Sequence, residues 1–336
     1  VPTAPAAPRS RAARQAFITG ASGFIGWHLA TRLRDNGWSV TALARRQSRG
    51  ALPPGVDRIA LDLRAPQIVR AIRTGSVVFH CAGRTFAATR RAFDAANLHL
   101  TREVALAAQQ AGARLVHVSS QAAAGPASPE RPRTESDEDA PCSPYGASKL
   151  AGDRIVARMS ALEWTIVRPV AVYGPRDRAF LPLFRLARAG YLPTFGDPAV
   201  SYMLVHVHDV VDALEQAAVR PEATGQVCFV GHPEPMRLDR ILDSIAHAVG
   251  RRVVSVRVGS PWLEAVAWGG SFASWCGVSA SFDRSKLREL QAGGFVCAVT
   301  RAANLLGSVP AIALEDGMAA TAAWYRAQGL LRPLRR

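Results

Sequence analysis

Tyr145 and Lys149 stand four residues apart in the stretch S-P-Y-G-A-S-K, Ser143 to Lys149. If Pro144 opens a helix, both side chains fall on one face of it. A tyrosine hydroxyl ordinarily titrates near pH 10 and exchanges its proton poorly at neutrality. A lysine ammonium beside it lowers that value, so the pair is suited to general acid/base chemistry. Upstream, Ser119 and Ser120 lie at the carboxyl end of the apolar run L-V-H-V-S. A hydroxyl there can hold a carbonyl oxygen while negative charge develops on it. The chain has 41 lysines and arginines, and only Lys149 and Lys286 are lysine. Position 149 therefore asks for something that a guanidinium does not offer.

The first apolar run leads into T-G-A-S-G-F-I-G, with Gly20, Gly23 and Gly26 evenly spaced and an amphipathic stretch directly after them. Glycines in a strand-to-helix turn let the backbone approach a pyrophosphate, and the helix start turns free N–H groups toward it. Ser22, Phe24 and Ile25 fall in the same turn and complete the phosphate site. The second apolar run, V-T-A-L-A-R-R, ends on Arg45 and Arg46 where an NAD site places a carboxylate for the ribose 2′-hydroxyl. Arginines there pair with a 2′-phosphate, so NADP(H) is preferred and NAD(H) stays open as the alternative. Lysine at 149 then has a further reason: its slim stem reaches cofactor ribose hydroxyls where the broad guanidinium does not fit. Each residue alone has a plainer reading, as a packed tyrosine, a surface lysine or a turn serine. Together, in this order behind a phosphate loop, they read as one site.

These groups need a scaffold of alternating strands and helices. Strands are expected over Ala16–Thr19, Ser39–Leu43, Arg58–Leu61, Val77–Cys81 and Leu115–Ser119, with helices over Gly26–Asn36 and Phe93–Ala111. The alternation implies right-handed crossovers and an α/β fold: a Rossmann-type doubly wound parallel sheet. Past residue 172 prolines and glycines become frequent. Helices over Asp209–Val219 and Leu238–Val249 and strands over Val227–Val230 and Val253–Val258 define a smaller mixed α/β region that completes a cleft. The expected division is a disordered tail over 1–14, a dinucleotide-binding domain over 15–172, a substrate-binding region over 173–330 with the chain free to return to the sheet, and a tail over 331–336.

Composition narrows the function classes. The formal charge of +15 is spread over scattered arginines with no basic helix or aromatic-interleaved groove, so no nucleic-acid partner is expected. No apolar run reaches the roughly 18–20 residues that span a bilayer, and the N-terminus carries no signal pattern, so a cytoplasmic location is expected. The five cysteines form no C-x-x-C pair, and neither a disulfide framework nor a zinc site is expected. His206 and His208 lack a third ligand; no metal is expected there, and His206 is read as lining the cleft.

Taken together, T-G-A-S-G-F-I-G, Asp62-Leu63, H-C-A-G at His80 to Gly83, Asn97, Ser119-Ser120, S-P-Y-G-A-S-K, R-P-V-A-V-Y-G-P from Arg168, H-V-H-D-V from His206 and the late E-D-G-M-A-A-T-A-A-W-Y resemble the extended short-chain dehydrogenase/reductase family, from residue 15 to about 330. The resemblance implies Tyr145 as general acid/base, Lys149 as its partner and ribose ligand, and Ser120 as the polarising hydroxyl. It places Asp62 and Leu63 at the adenine, Cys81, Ala82, Gly83 and Ser119 beside the cofactor, and Pro169, Val170 and Val172 near the nicotinamide. Arg84, Gln121, Tyr173 and His206 fall on the substrate side, and Asn97 is similar to the family's structural asparagine. A homodimer is implied, through the helix after Asn97 and the Tyr-Lys helix.

This chain departs from the family pattern in places. Many sugar-nucleotide members carry V-Y-G where Ala122 to Gly125 reads A-A-A-G, and many have Glu where Asp153 stands. The activity the resemblance implies is hydride transfer between NADP(H) and a ketone or secondary alcohol, similar to the 3β-hydroxysteroid dehydrogenase and dihydroflavonol reductase branch. A nucleotide-sugar epimerase or dehydratase, with Arg176, Arg178, Arg185 and Arg284 as diphosphate donors, is the alternative. A non-catalytic NADP(H)-sensing protein is a third reading, weakened because Tyr145 and Lys149 are both kept. The tryptophan-bearing segment Ser260 to Gly277 is read as a pocket wall, a core helix or a membrane-surface contact.

Overall fold

The computed structural model describes residues 14–87, 89–194, 200–259, 261, 262, 264 and 284–331. The chain opens with β1 (Gln15–Thr19), α1 (Phe24–Asp35), β2 (Ser39–Arg45), β3 (Asp57–Leu61), α2 (Ala65–Ala71) and β4 (Val77–His80). After β4 the helical stretch is α3 (Arg90–Asp94), a π-helical turn at Ala95–His99, and α4 (Leu100–Ala111). β5 (Arg114–Val118), α5 (Pro144–Ala157) and β6 (Trp164–Pro169) follow. The expected single helix over Phe93–Ala111 is thus interrupted where Asn97 turns its side chain to other duties. No element was predicted for Ala65–Ala71 or Trp164–Pro169.

β7 (Ala171–Tyr173), α6 (Leu181–Ala189), β8 (Tyr191–Thr194), β9 (Ser201–Tyr202), β10 (Leu204–His206), α7 (Val207–Val219), β11 (Gln226–Val230), β12 (Met236–Arg237), α8 (Leu238–Val249) and β13 (Val254–Arg257) come next. Three further helices span Arg284–Gln291, Thr300–Leu306 and Leu314–Ala327.

Seven strands form one parallel sheet in the order β11-β6-β5-β4-β1-β2-β3. The order reverses between β1 and β4, and in open α/β sheets ligands bind at that crevice, beyond the carboxyl ends of the strands. The glycine-rich turn, the β4 end, Ser119-Ser120 and the end of β6 all leave the sheet on that side. β11 lies beyond residue 172 yet pairs with β6 from Gln226↔Thr165 to Val230↔Pro169, so the chain does return to the sheet.

Apolar side chains bury both faces of the sheet. One core joins Ile18, Leu29 and Leu33 to Val210, Leu214 and Phe229. The opposite core joins Phe17, Leu43 and Leu115 to Ile68, Val104 and Val156. A third core, formed by Phe184, Ile241, Ile245, Met318 and Tyr325, holds the smaller region together. Around it stand the short pairs β7–β10, β9–β12 and β8–β13.

Candidate active site

The phosphate turn has the form its glycines require. Gly20 sits at φ +74, and Gly23 N donates to Gly20 O at 2.9 Å. A Cβ on Gly26 would collide with Gly20 O, and one on Gly20 would meet the Ala82 backbone at 2.7 Å. The turn and the β4 end are therefore in backbone contact, with no room for side chains between them. α1 begins after Gly23 with no side-chain cap and no acidic residue in its first turn. Its free N–H groups and dipole are left to an anion, so these residues fit a dinucleotide pyrophosphate.

β2 runs two residues beyond the expected Leu43 and ends on Arg45. Arg45 and Arg46 are both exposed, and Arg46 Nε lies 3.4 Å from Asp62 Oδ1. The loop that follows is tied down by Arg58, which donates to the carbonyls of Ser48 and Gly50. Gly50 comes so close to Ser22 that a Cβ would lie 2.6 Å from it. The arginine loop and the phosphate turn thus share one wall. Leu63 adopts φ 54 just past Asp62, which turns the chain there.

On the other side of the cleft the π-helical turn explains Asn97. Its Oδ1 accepts from Arg84 N at 2.8 Å, and its Nδ2 donates to Arg84 O and to Ser148 Oγ, both at 2.9 Å. One buried amide thereby fixes the Ala82–Arg84 loop against α5. The Arg84 side chain is exposed. Cys81 N donates to Thr19 O, and burial pushes its thiol up to about 12, which keeps it un-ionised.

α5 starts as the sequence predicts. Ser143 caps it, accepting from Gly146 N at 3.0 Å, and Pro144 occupies its first turn. Gly146 packs directly on the short 3₁₀ turn Gln121–Ala123, where a Cβ would collide with Ala122 O. That turn is capped by Ser120, whose Oγ accepts from Ala122 N at 3.2 Å. The close approach brings the Ser120 hydroxyl near that of Tyr145, where it favours the phenolate and partly offsets the effect of burial. Gly146→Ala should push the two segments apart, at a cost of about 1–3 kcal/mol in stability. A displacement of order 1 Å between the two hydroxyls should also lower turnover by about 10²-fold, read against an unchanged cofactor affinity.

Lys149 is buried, and its ammonium donates to Val118 O at 2.7 Å. Burial lowers its pKa to about 8, against the pull of Asp153 and Cys81. The expected lowering of the tyrosine value called for the positive nicotinamide as well as Lys149, and it concerns the cofactor-bound site. Burial pushes the Tyr145 hydroxyl up to about 12, against the Ser120 hydrogen bond and with Glu289 and Asp153 adding to the rise. Tyr145 is thus a protonated phenol at neutral pH.

Below the pair lies a buried polar network that sequence reasoning missed. Asp153 accepts from Ser119 Oγ at 2.8 Å and from Arg168 Nε at 3.0 Å. Arg168 also grips Asp139 with both terminal nitrogens, at 2.6 and 3.0 Å. His117 Nε2 lies 3.3 Å from Asp153 Oδ1, close enough to feel its charge, though neither atom has an aligned hydrogen-bond partner. His117 stacks on His80, which bridges Thr19 Oγ1 at 2.7 Å and Thr101 Oγ1 at 3.0 Å. Burial drives both imidazoles below their ordinary value, so they stay neutral. The Ser119 hydroxyl is committed to Asp153.

The residues expected on the substrate side divide. Gln121 is buried beside Ser120 with no hydrogen-bond partner for its amide nitrogen, a donor left over at the site. Tyr173, 1% exposed, is packed in the third core with Phe180 beside it, and a Cβ on Gly317 would lie 2.5 Å from its hydroxyl. This packing corrects the expectation of a substrate contact. His206 is buried and caps α7, its Nδ1 accepting from His208 N. Its ring meets those of His208 and Tyr173, and His28 stands against His208. Among the described residues no cluster of three or more His, Cys, Asp or Glu is arranged to hold a metal. Val170 is buried at the end of β6, and its N donates to Val230 O. Glu289, from the helix Arg284–Gln291, accepts from Ser143 Oγ at 2.7 Å and so reaches the start of α5 from far along the chain. The Ser260 to Gly277 segment lies outside the described residues except for Pro261, Trp262 and Glu264.

A parallel sheet with this strand order, a glycine turn at its switch point and a Tyr-Lys helix beside a strand-end serine define a nucleotide-cofactor enzyme of the extended short-chain dehydrogenase/reductase type. The chain belongs to the NAD dependent epimerase/dehydratase family, whose pattern matches residues 16–231. It is 34% identical to the ceramide reductase of Caulobacter vibrioides, over 94% of this chain and 95% of that protein. It is 30% identical to the UDP-glucose 4-epimerase of Mycolicibacterium smegmatis, over 92% of this chain and 98% of that one. Among solved structures, MoeE5 in complex with UDP-glucose and NAD superposes with a TM-score of 0.74 at 27% identity, over 94% of this chain and 99% of that one.

Proposed function

We propose that this enzyme is an NADP(H)-dependent reductase of ketones carried on large apolar molecules. The observation that carries the reading is the placement of Tyr145 beside the strand-end Ser120, forced by the packing of Gly146 on the Gln121–Ala123 turn. Reduction of a ketone consumes a proton, and a neutral phenol is ready to give one. The Ser120 hydroxyl donates to the substrate oxygen as charge grows on it, and Tyr145 delivers its proton to the same atom. A nicotinamide bound in the cleft supplies the hydride. Lys149 holds its ammonium at the strand end, where the cofactor ribose hydroxyls would come within its reach.

The similarity to a ceramide reductase over nearly the whole of both chains supports a lipid-like ketone. The small residues Ala122, Ala123 and Ala124, all buried after Ser120, leave no tyrosine to contact a sugar. The similarity to a UDP-glucose 4-epimerase favours the alternative. The test is NADPH oxidation against a panel of long-chain and cyclic ketones, run beside UDP-glucose and UDP-galactose interconversion. Ketone turnover without sugar interconversion is the expected result; interconversion without ketone turnover would overturn the reading.

Arg45 and Arg46 carry the cofactor preference. Charge-assisted hydrogen bonds to a 2′-phosphate contribute about 1.5–3 kcal/mol. The Arg45→Glu, Arg46→Glu double variant should therefore bind NADPH at least tenfold more weakly and NADH no more weakly, as read by fluorescence titration with each cofactor.

A further inference from the structure

We propose that the outer face of the β8–β13 pair is a docking surface for an anionic lipid bilayer. Six large apolar side chains are exposed among the described residues: Leu186, Tyr191, Val254, Val256, Trp262 and Val309. Five of them, all but Val309, lie on α6, on β8–β13 or just past it. The parallel register pairs Val254 with Tyr191 and Val256 with Pro193. Paired residues of neighbouring strands share a face, so Tyr191, Pro193, Val254 and Val256 form one apolar surface. Leu192, on the opposite face, is buried in the third core. The surface is therefore the outward one, with Val254 63% and Tyr191 56% exposed. Trp262, 74% exposed, stands six residues past Val256.

An isolated pair of strands ordinarily presents polar residues to water, and this one does the reverse. The charges on the chain segments that form it and adjoin it are positive but for one. Arg185 and Arg188 lie on α6, and Arg251, Arg252 and Arg257 flank or end β13; the described stretches 181–194 and 250–264 contain one carboxylate, Glu264. Apolar and aromatic side chains framed by arginines match a membrane surface: the rings and valines enter the headgroup region while guanidinium groups meet lipid phosphates. The same arginines oppose a second copy of this chain, because like charges would face one another across any two-fold axis, and the chain as a whole carries +15. The docking stands apart from the reaction proposed above, since its readout is partition and not turnover.

The test is sedimentation of the full chain with vesicles of phosphatidylcholine alone and of phosphatidylcholine with 30 mol% phosphatidylglycerol. The variants are Val254→Ser with Val256→Ser, Trp262→Ser, and Arg251→Glu with Arg252→Glu. All five side chains are exposed, so thermal midpoints should match the wild type within a few degrees. The expected result is binding to the anionic vesicles, at least tenfold tighter than to the neutral ones, and at least tenfold weaker in each variant. Absence of wild-type binding would overturn the proposal. So would unchanged binding by the Val254/Val256 and Trp262 variants, which would show charge attraction without this surface. Concentration-dependent dimerisation, lost in the same variants and without vesicle binding, would assign the surface to a second copy instead.

Discussion

Lys149→Arg is expected to lower turnover by about 10²- to 10⁴-fold, the range contributed by a positioned proton-transfer system. The charge is kept, so the effect would come from shape. Lys149 is 4% exposed, and its ammonium donates to Val118 O at 2.7 Å. A planar guanidinium is broader, and its five donors would have to find partners in the same buried place. In a chain with 39 arginines, this is the physical answer to why one of the two lysines stands here. The residue also carries a signature in pH. Its folded value of about 8 lies below the ordinary 10.5, so the folded state binds fewer protons between those values. Stability relative to a Lys149→Met variant should therefore rise as pH climbs from about 8 toward 10.5, which denaturant melts at stepped pH would show. Comparable turnover by the Lys149→Arg enzyme would show that charge alone suffices.

Asp153→Ala is expected to have the largest effect on stability, a loss of about 3–5 kcal/mol, because it leaves Arg168 buried with half of its carboxylate partners gone. Arg168 is 4% exposed and bonded to Asp153 and Asp139, so in the variant it keeps only Asp139. The variant also frees Ser119 Oγ and takes away the charge that helps keep Lys149 protonated. The carboxyl of Asp153 is held below its ordinary value: burial opposes this, but the His117 and Arg168 contacts outweigh it. With a depressed folded value, its stabilisation is complete above the unfolded carboxylate value of 3.8 and is lost as pH falls through the folded one. Urea unfolding at pH 7 and at pH 3 measures this, and the gap between wild type and variant should narrow at the lower pH. An Asp153→Asn variant keeps the volume and one acceptor, and should fall between the two.

The candidate residues could be picked out because their chemistry is written in residue type and spacing. Ser143-Pro144 announced the start of a helix, Tyr145 and Lys149 shared its face, and Ser120 followed an apolar run. The glycine turn was legible for the same reason: a Cβ at Gly20 would strike the Ala82 backbone and one at Gly26 the Gly20 carbonyl. Contacts between distant segments left no such trace. Nothing in the local pattern of Asn97 shows that its amide would bind Arg84 and Ser148 and open a π-helical turn. Nor does the sequence around Glu289 show that its carboxylate would meet Ser143, 146 residues away. Tyr173 sits in R-P-V-A-V-Y-G-P near the end of β6, which suggested the cleft; the fold turns it into a core because Gly317 leaves a space that its ring fills. The return of β11 to the sheet was left open in the sequence, since a short apolar run does not reveal which strand it will pair with.

The central claim is that Tyr145, protonated and held by Ser120, gives the proton while a hydride is transferred to a ketone. The most direct test is single-turnover NADPH oxidation with a reactive ketone by wild type, Tyr145→Phe and Ser120→Ala, with NADPH affinity measured on the same samples. The account predicts a loss of about 10³-fold or more for Tyr145→Phe and about 10²-fold for Ser120→Ala, with cofactor affinity within a few-fold of wild type. Full-rate hydride transfer by the phenylalanine variant would contradict it.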